Sequence, residues 1–214
     1  MALTAEGVAV ERGGRLALVA PDFRVAPGEA ALIEGANGAG KSTLLRAVAG
    51  LVPLKRGRLA LAGAEGPLSQ HVAYAGHLDA VKTALSLRAN LAHWAAIYRA
   101  GADVGAALAA FGLDHIADEL AACCSAGQKR RLALARLLVS GRRVWLLDEP
   151  SVSLDAASVE SFAALVAAHC RAGGIALVAT HVALGLPAGP RIRLKAPVLD
   201  AAAQADPFLA GAWA

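Results

Sequence analysis

Five short apolar runs punctuate the chain, at Ala30 to Glu34, Arg58 to Leu61, Val72 to Ala75, Val144 to Leu147 and Ile175 to Ala179. Turn-forming or polar residues bound them, which is how strands read in a sequence. The runs VWLL and IALVA are apolar at every position and fit strands buried on both faces of a parallel sheet. Longer alanine-rich stretches lie at Lys41 to Ala49, Thr83 to Tyr98, Ser125 to Val139 and Ala156 to Arg171. They have helical length and composition, and the last three open at Thr, Ser or Asp caps. Strands alternating with helices predict an α/β fold around a mainly parallel sheet. The opening LTAEGVAVERGGRLALVAPDFRV instead alternates and carries turns, so it predicts an N-terminal antiparallel β layer. Residues His77 to Ala122 hold helical signals and no convincing strand. They predict a helical subdomain of about 77–122 inserted into a core of about 1–76 and 123–200, the whole 1–214 forming a single domain.

Composition narrows this further. A chain of 214 residues suits one domain and is too short for two full-sized ones. Hydrophobic residues make up 57% and mean hydropathy is +0.50, but alanine inflates both values. A bilayer span needs about 20 mainly apolar residues. The long charge-free stretch from Ala172 to Pro190 is broken by Gly173, Gly174, His181, Gly185, Pro187 and Gly189, so no transmembrane helix is expected. The N-terminus lacks a basic start followed by an apolar core, and no secretory signal is expected there. A net charge of +4 tolerates an anionic partner without selecting one. Cys123, Cys124 and Cys170 give neither a CxxC pattern nor an even disulfide set, and read as small apolar groups in a reducing compartment.

Two segments carry chemistry on their own. Gly35-Ala36-Asn37-Gly38-Ala39-Gly40-Lys41-Ser42 matches GxxxxGK[ST], directly after the strand ALIE and directly before a helical run. Its glycines let successive N–H groups point at phosphate oxygens, and the following helix adds its positive end. Lys41 is placed to reach β and γ phosphates, Ser42 to ligate Mg²⁺ and Thr43 to donate to a neighbouring oxygen. The second segment is the end of the strand Val144 to Leu147, where Asp148-Glu149-Pro150 puts two carboxylates at the edge that open α/β sheets use for ligands. Asp148 is the candidate to hold Mg²⁺, directly or through water. Glu149 is the candidate to orient and polarise an attacking water.

A third segment is ambiguous alone. Ser125 and Gln128 fit the S-x-x-Q capping box, and with Lys129, Arg130 and Arg131 as a solvated face they need no ligand. Order and spacing change the weighting: phosphate loop, then Ser-Ala-Gly-Gln, then LLDEP, then His181 at the end of IALVAT. In this order the chain resembles the ATP-binding-cassette (ABC) ATPases from about Leu3 to Lys195. The resemblance implies that Ser125, Gly127 and Gln128 form a signature motif binding the γ phosphate of ATP held by the other monomer of a head-to-tail homodimer. It also implies that Ser153-Leu154-Asp155 is the loop linking the two sites and that His181 contacts the γ phosphate.

Departures from the family pattern single out a branch. Cys124 and Ala126 stand where a leucine and a glycine are usual, and no aromatic near Val10-Glu11-Arg12 is available for adenine, leaving Arg12 as the candidate to stack. His77 ends Tyr74-Ala75-Gly76-His77 where a glutamine with a metal-contact role is usual. With Glu11-Arg12 through Leu16, Glu34 through Asn37, Val81-Lys82-Thr83, Asn90-Leu91, Trp94 and Ser125 through Gln128, these residues are similar to the heme-exporter ATPases of bacterial cytochrome c maturation. That likeness implies ATP and Mg²⁺ as cofactors, hydrolysis coupled to translocation and integral membrane permease partners that handle heme. It also implies a peripheral position on the cytoplasmic face of the inner membrane, with docking at the helical subdomain near Trp94 and Tyr98. Service to a different permease is the nearest alternative. A nucleic-acid-acting ATPase is disfavoured, because relatives that clamp DNA carry a long coiled-coil insertion for which the spacing leaves no room. A binding module without hydrolysis is disfavoured by the complete LLDEP.

Overall fold

The computed structural model describes residues 1–181 and 184–195. The alanine-rich end after Pro197 and the last residues of the expected core lie outside them. In chain order the strands are β1 (Leu3–Arg12), β2 (Arg15–Val19), β3 (Phe23–Val25), β4 (Ala30–Glu34), β5 (Arg56–Leu61), β6 (Val72–Ala75), β7 (Val144–Asp148), β8 (Ile175–Ala179) and β9 (Arg191–Arg193). The α-helices are α1 (Lys41–Val48), α2 (Leu87–Tyr98), α3 (Val104–Ala110), α4 (Ala126–Ala135) and α5 (Ala156–Arg171).

A five-stranded sheet runs in the order β6-β7-β8-β4-β9 and is parallel throughout. Every residue of β7 and β8 is buried, as their unbroken apolar runs require. Side chains alternate between two cores. Ala73, Trp145, Leu147, Ala176 and Val178 pack with Leu134 of α4 and Phe162 and Val166 of α5. Ile33, Val144, Leu146, Ile175 and Leu177 pack instead with Leu44, Leu45 and Val48 of α1 and with the antiparallel layer.

That layer is organised around β1. Its start pairs with β3, its end with β2, and its opposite edge with β5. β5 therefore joins the antiparallel layer, although its sequence run sits among the parallel strands. Arg56, Gly57 and Arg58 are exposed and only Leu61 is fully buried, so β5 has one face to bury rather than two. β9 has no counterpart in the sequence reading, because only Ile192 of its three residues is buried.

The 77–122 segment supplies α2 and α3. Leu87, Leu91, Leu108 and Phe111 share a core with Trp145, Leu147 and Phe162, so the segment packs directly onto the parallel sheet. Its first helix begins at Leu87 rather than near Thr83. Ser86 caps it by accepting from the N–H of Ala89 (3.1 Å), and residues 82–86 instead wrap the side chain of Asn90. Asn90 is 2% exposed. Its Oδ1 accepts from the N–H of Lys82 (2.8 Å), and its Nδ2 donates to the carbonyls of Lys82 (3.0 Å), Leu85 (3.3 Å) and Ser86 (2.9 Å). α4 likewise stops at Ala135, and a 3₁₀ turn at Leu138–Ser140 completes the run expected to be one helix.

Removing one partner of a buried polar set costs about 1–3 kcal/mol for each group left unsatisfied. Asn90→Ala is therefore expected to lower unfolding stability by about 2–4 kcal/mol, and Asn90→Asp, which lacks the amide donors, by a comparable amount. Urea unfolding followed by circular dichroism measures both, and equal stability of Asn90→Ala and the parent would overturn the assignment.

Candidate functional site

Parallel register brings the ends of β4, β7 and β8 to one edge of the sheet. Ala179 of β8 is the partner of both Ile33 of β4 and Asp148 of β7. The residues that follow, Gly35, Glu149 and His181, are thereby gathered where the phosphate loop begins.

The loop Gly35–Gly40 connects β4 to α1. Gly40 caps the helix in the left-handed region (φ 98°) and offers no side chain to the first N–H groups. A Cβ at Gly40 would lie 3.0 Å from Cδ1 of Leu18 and 3.2 Å from the Ala17 carbonyl, because the β1–β2 hairpin packs over the loop. The hairpin tip pairs Arg12 with Arg15 and exposes Leu16. Lys41 folds its Nζ back to donate to the carbonyls of Gly35 (2.8 Å) and Ala36 (3.2 Å). Ser42 Oγ donates to Oδ1 of Asp148 (3.0 Å), and the Tyr74 hydroxyl donates to Oδ2 of the same carboxylate (3.1 Å). Burial and the neighbouring Asp148 push the Tyr74 hydroxyl above its ordinary range, so it remains a donor at neutral pH.

Glu149 follows Asp148 directly but meets different partners. Its backbone is left-handed (φ 48°), an uncommon state for a residue with a side chain. The turn aims Oε1 at His181 Nε2 (3.4 Å), and the same His181 nitrogen lies 3.2 Å from Asn37 Oδ1. Asn37 of the loop, Glu149 of β7's end and His181 of β8's end thus form one cluster. Lys41, Ser42 and Asp148 lie beside it.

A second group is separate. Ser125 and Gln128 form the expected capping box at the start of α4. The Gln128 N–H donates to Ser125 Oγ (3.2 Å) and the Ser125 N–H to Gln128 Oε1 (2.7 Å). A Cβ at Gly127 would lie 3.1 Å from the carbonyl of Ser153, so the start of α4 abuts the segment leading to α5. Asp155 caps α5 by accepting from the N–H of Ser158 (2.7 Å), which holds its carboxyl below the usual range. Among the described residues no hydrogen bond joins the side chains of Ser125, Gln128 or Asp155 to the phosphate loop, and Ser125, Ala126 and Asp155 are exposed.

His77 is exposed and lines a cleft of about 330 Å³ with Leu51, Leu78, Trp94, Tyr98 and Arg136. Leu51 is 63% and Leu78 81% exposed. The guanidinium of Arg136 lies 4.6 Å over the Trp94 ring and donates to the Tyr74 carbonyl (2.8 Å).

Three site residues carry more than the sequence reading gave them. Tyr74 touches Asp148, and Arg136 joins Tyr74 to Trp94. Arg130 is buried, not part of a solvated face. The signal for Arg130 is its position four residues before the buried Leu134, which puts it on the inward face of α4.

The family model described as "ABC transporter" matches residues 18–152. The cytochrome c biogenesis ATP-binding export protein CcmA of Ruegeria pomeroyi is 49% identical over 205 residues, covering 94% of this chain and 97% of that protein. The protein of the same name from Roseobacter denitrificans is 50% identical over 186 residues, covering 87% of each. Among solved structures, a dimeric ATP-binding cassette in a post-hydrolysis state with ADP and phosphate superimposes with a TM-score of 0.78. It shares 21% identity over 91% of this chain and 94% of that one, a likeness of fold. The chain therefore belongs to the ABC transporter family, among its cytochrome c biogenesis ATP-binding export proteins.

Proposed function

We propose that the chain binds and hydrolyses ATP as the nucleotide-binding subunit of a membrane export complex serving cytochrome c biogenesis, with heme handled by its partners. The observation that carries this reading is the convergence of Lys41, Ser42, Asp148, Glu149 and His181 around one glycine loop. The names of relatives about half identical over nearly the whole chain supply the branch.

A glycine loop that opens a helix offers N–H groups and a positive dipole to phosphate. Gly35, Ala36, Asn37, Gly38, Ala39 and Gly40 supply that cradle. Lys41 would exchange its two carbonyl partners for β and γ oxygens, and Thr43 would donate to a neighbouring one. Ser42 and Asp148 present hard oxygen donors 3.0 Å apart, a set that fits Mg²⁺. Bound there, the ion would neutralise charge on the phosphate oxygens. Glu149 would orient the attacking water and accept its proton, with His181 holding the γ phosphate from the β8 side. A metal contact from His77 has no hydrogen bond to Ser42 or Asp148 behind it. Its ring lines the cleft beside Tyr74, whose hydroxyl does reach Asp148.

The exposed start of α4 supports a head-to-tail homodimer in which Ser125, Gly127 and Gln128 cover the partner's ATP and Asp155 lies at the junction. The cleft flanked by Leu51, Leu78, Trp94 and Tyr98 suits an apolar element of an integral membrane permease subunit. None of the described helices is long and apolar enough to cross a membrane. The export role named for the relatives supports peripheral attachment on the cytoplasmic face of the inner membrane.

Lys41→Ala is expected to weaken ATP binding about tenfold or more, the scale of a charge-assisted hydrogen bond, in a fluorescent-nucleotide titration. Glu149→Gln is expected to keep ATP binding, lower hydrolysis about a hundredfold or more, and yield a long-lived ATP-bound dimer by size exclusion. Full turnover in that variant would remove the role of Glu149. Affinity purification from native membranes is expected to recover cytochrome c maturation subunits, and recovery of an unrelated permease instead would overturn the branch.

A further inference from the structure

Arg130 lies on the inward face of α4 and is 3% exposed. Its guanidinium reaches five acceptors on two other segments. Nη1 donates to the Gly76 carbonyl (2.8 Å) and to Oδ1 of Asp79 (3.0 Å). Nη2 donates to the carbonyls of Glu149 (2.8 Å) and Asp148 (3.4 Å), and Nε to that of Pro150 (3.4 Å). A planar fork with five N–H donors can span these positions, whereas an ammonium cannot.

Burying a cation is unfavourable unless its partners compensate, and an apolar side chain would fill the same volume more simply. What the cation adds is control of a strained turn. Glu149 keeps a left-handed backbone (φ 48°), which costs free energy and persists only where the surroundings fix it. Three contacts fix it. Its N–H donates to the Ala179 carbonyl (2.8 Å) of β8, and its carbonyl accepts from the Val152 N–H (3.3 Å) of the same turn and, more closely, from Arg130 (2.8 Å). The other arm of the same fork holds Gly76 and Asp79, on the turn that carries His77 and Leu78 along the wall of the cleft.

We propose that Arg130 is a positioning residue: it holds the Glu149 backbone in the conformation that aims its carboxylate at His181, and it ties that backbone to the Gly76–Asp79 turn. This rests on the reading of Glu149 as the group that activates water. An occupant of the cleft that displaces the turn pulls on the guanidinium, and the guanidinium moves Glu149. The signature-bearing helix α4 carries the arm between them, so three elements share one rigid connector. The backbone of Asp148 is held by the same fork, but its carboxylate is set independently by Ser42 and Tyr74. Nucleotide binding and catalytic geometry are thereby separable.

The test is steady-state and single-turnover ATP hydrolysis by the full-length chain carrying Arg130→Lys or Asp79→Asn, each alone and combined with Glu149→Gln. Misplacing a reacting group by about 1 Å costs up to about a hundredfold in rate. Arg130→Lys is expected to lower kcat by about tenfold to a hundredfold with KM for ATP unchanged within about twofold. Asp79→Asn leaves the Glu149 arm intact and is expected to lower kcat only severalfold. In the Glu149→Gln background each substitution is expected to change the residual rate by less than about twofold, because there is no carboxylate left to misplace. Losses of equal size in both backgrounds, or kcat and KM moving together, would overturn the proposal. Should Arg130→Lys fail to fold, the Asp79→Asn cycle decides on the same criterion. A parent chain that binds no ATP overturns the functional reading itself, whereas additive losses in an active enzyme overturn only the role of Arg130.

Discussion

The register of three parallel strands is the constraint on which the site depends. Ala179 stands in register between Ile33 on one side and Asp148 on the other, so β4, β8 and β7 leave the sheet together. Gly35, His181 and Glu149 then emerge as neighbours although they lie far apart in the sequence. A slip of one residue would turn every side chain of the slipped strand to the opposite face and move its terminal residue out of reach. The register is held by burial on both sides. Leu146 and Leu177 face α1 while Leu147 and Val178 face α5, and neither core accepts a polar residue in exchange. The energy that fixes the geometry of the site is thus mostly ordinary apolar burial, about 1.5–3 kcal/mol for each such side chain.

The sequence exposed what is dictated locally. β4, β6, β7 and β8 were legible because burial on both faces demands continuous apolar runs, and the phosphate loop because its glycines, lysine and serine answer to a backbone geometry. The capping box at Ser125 was legible for the same reason. What stayed hidden depends on distant partners. Thr83 is a residue type that caps helices, but Asn90 captures residues 82–86 and the cap falls at Ser86, with the helix starting at Leu87. β5 has strand character, but its allegiance to the antiparallel sheet follows from a pairing with β1 that crosses about fifty positions. Arg130 sits in a run of three basic residues, and a run of basic residues usually faces water. The acceptors on the Gly76–Asp79 and Asp148–Pro150 segments, remote from it in the chain, explain why Arg130 turns inward.

The two carboxylates at the end of β7 are adjacent yet held by different means, and the difference suits different work. Asp148 belongs to the strand and keeps its extended backbone, with both oxygens engaged by hydroxyl groups of Ser42 and Tyr74. A carboxylate fixed in this way has a set direction toward the loop. Glu149 is the first residue past the sheet, its backbone is left-handed, and its side chain meets only the ring of His181 among the described ion pairs. Its position is governed by main-chain contacts, which leaves the carboxylate itself open to a water molecule. Small displacements of the turn therefore change Glu149 before they change Asp148.

Exposure of the second group follows from the same division. The capping box spends the side chains of Ser125 and Gln128 on their own helix end, and the N–H groups of the first turn of any helix have no partner within it. Among the described residues no carboxylate accepts a hydrogen bond from them, although the positive end of a helix favours an anion. A second copy of the chain, presenting its own phosphate loop, is the arrangement that would use both groups. Such an arrangement makes the site of each chain incomplete without the other. It also places α4 under two demands, since the helix that would meet the partner's phosphate is the one whose Arg130 reaches back to Glu149. Closure of the pair and alignment of the carboxylate proposed to activate water would then be a single mechanical event carried by one short helix.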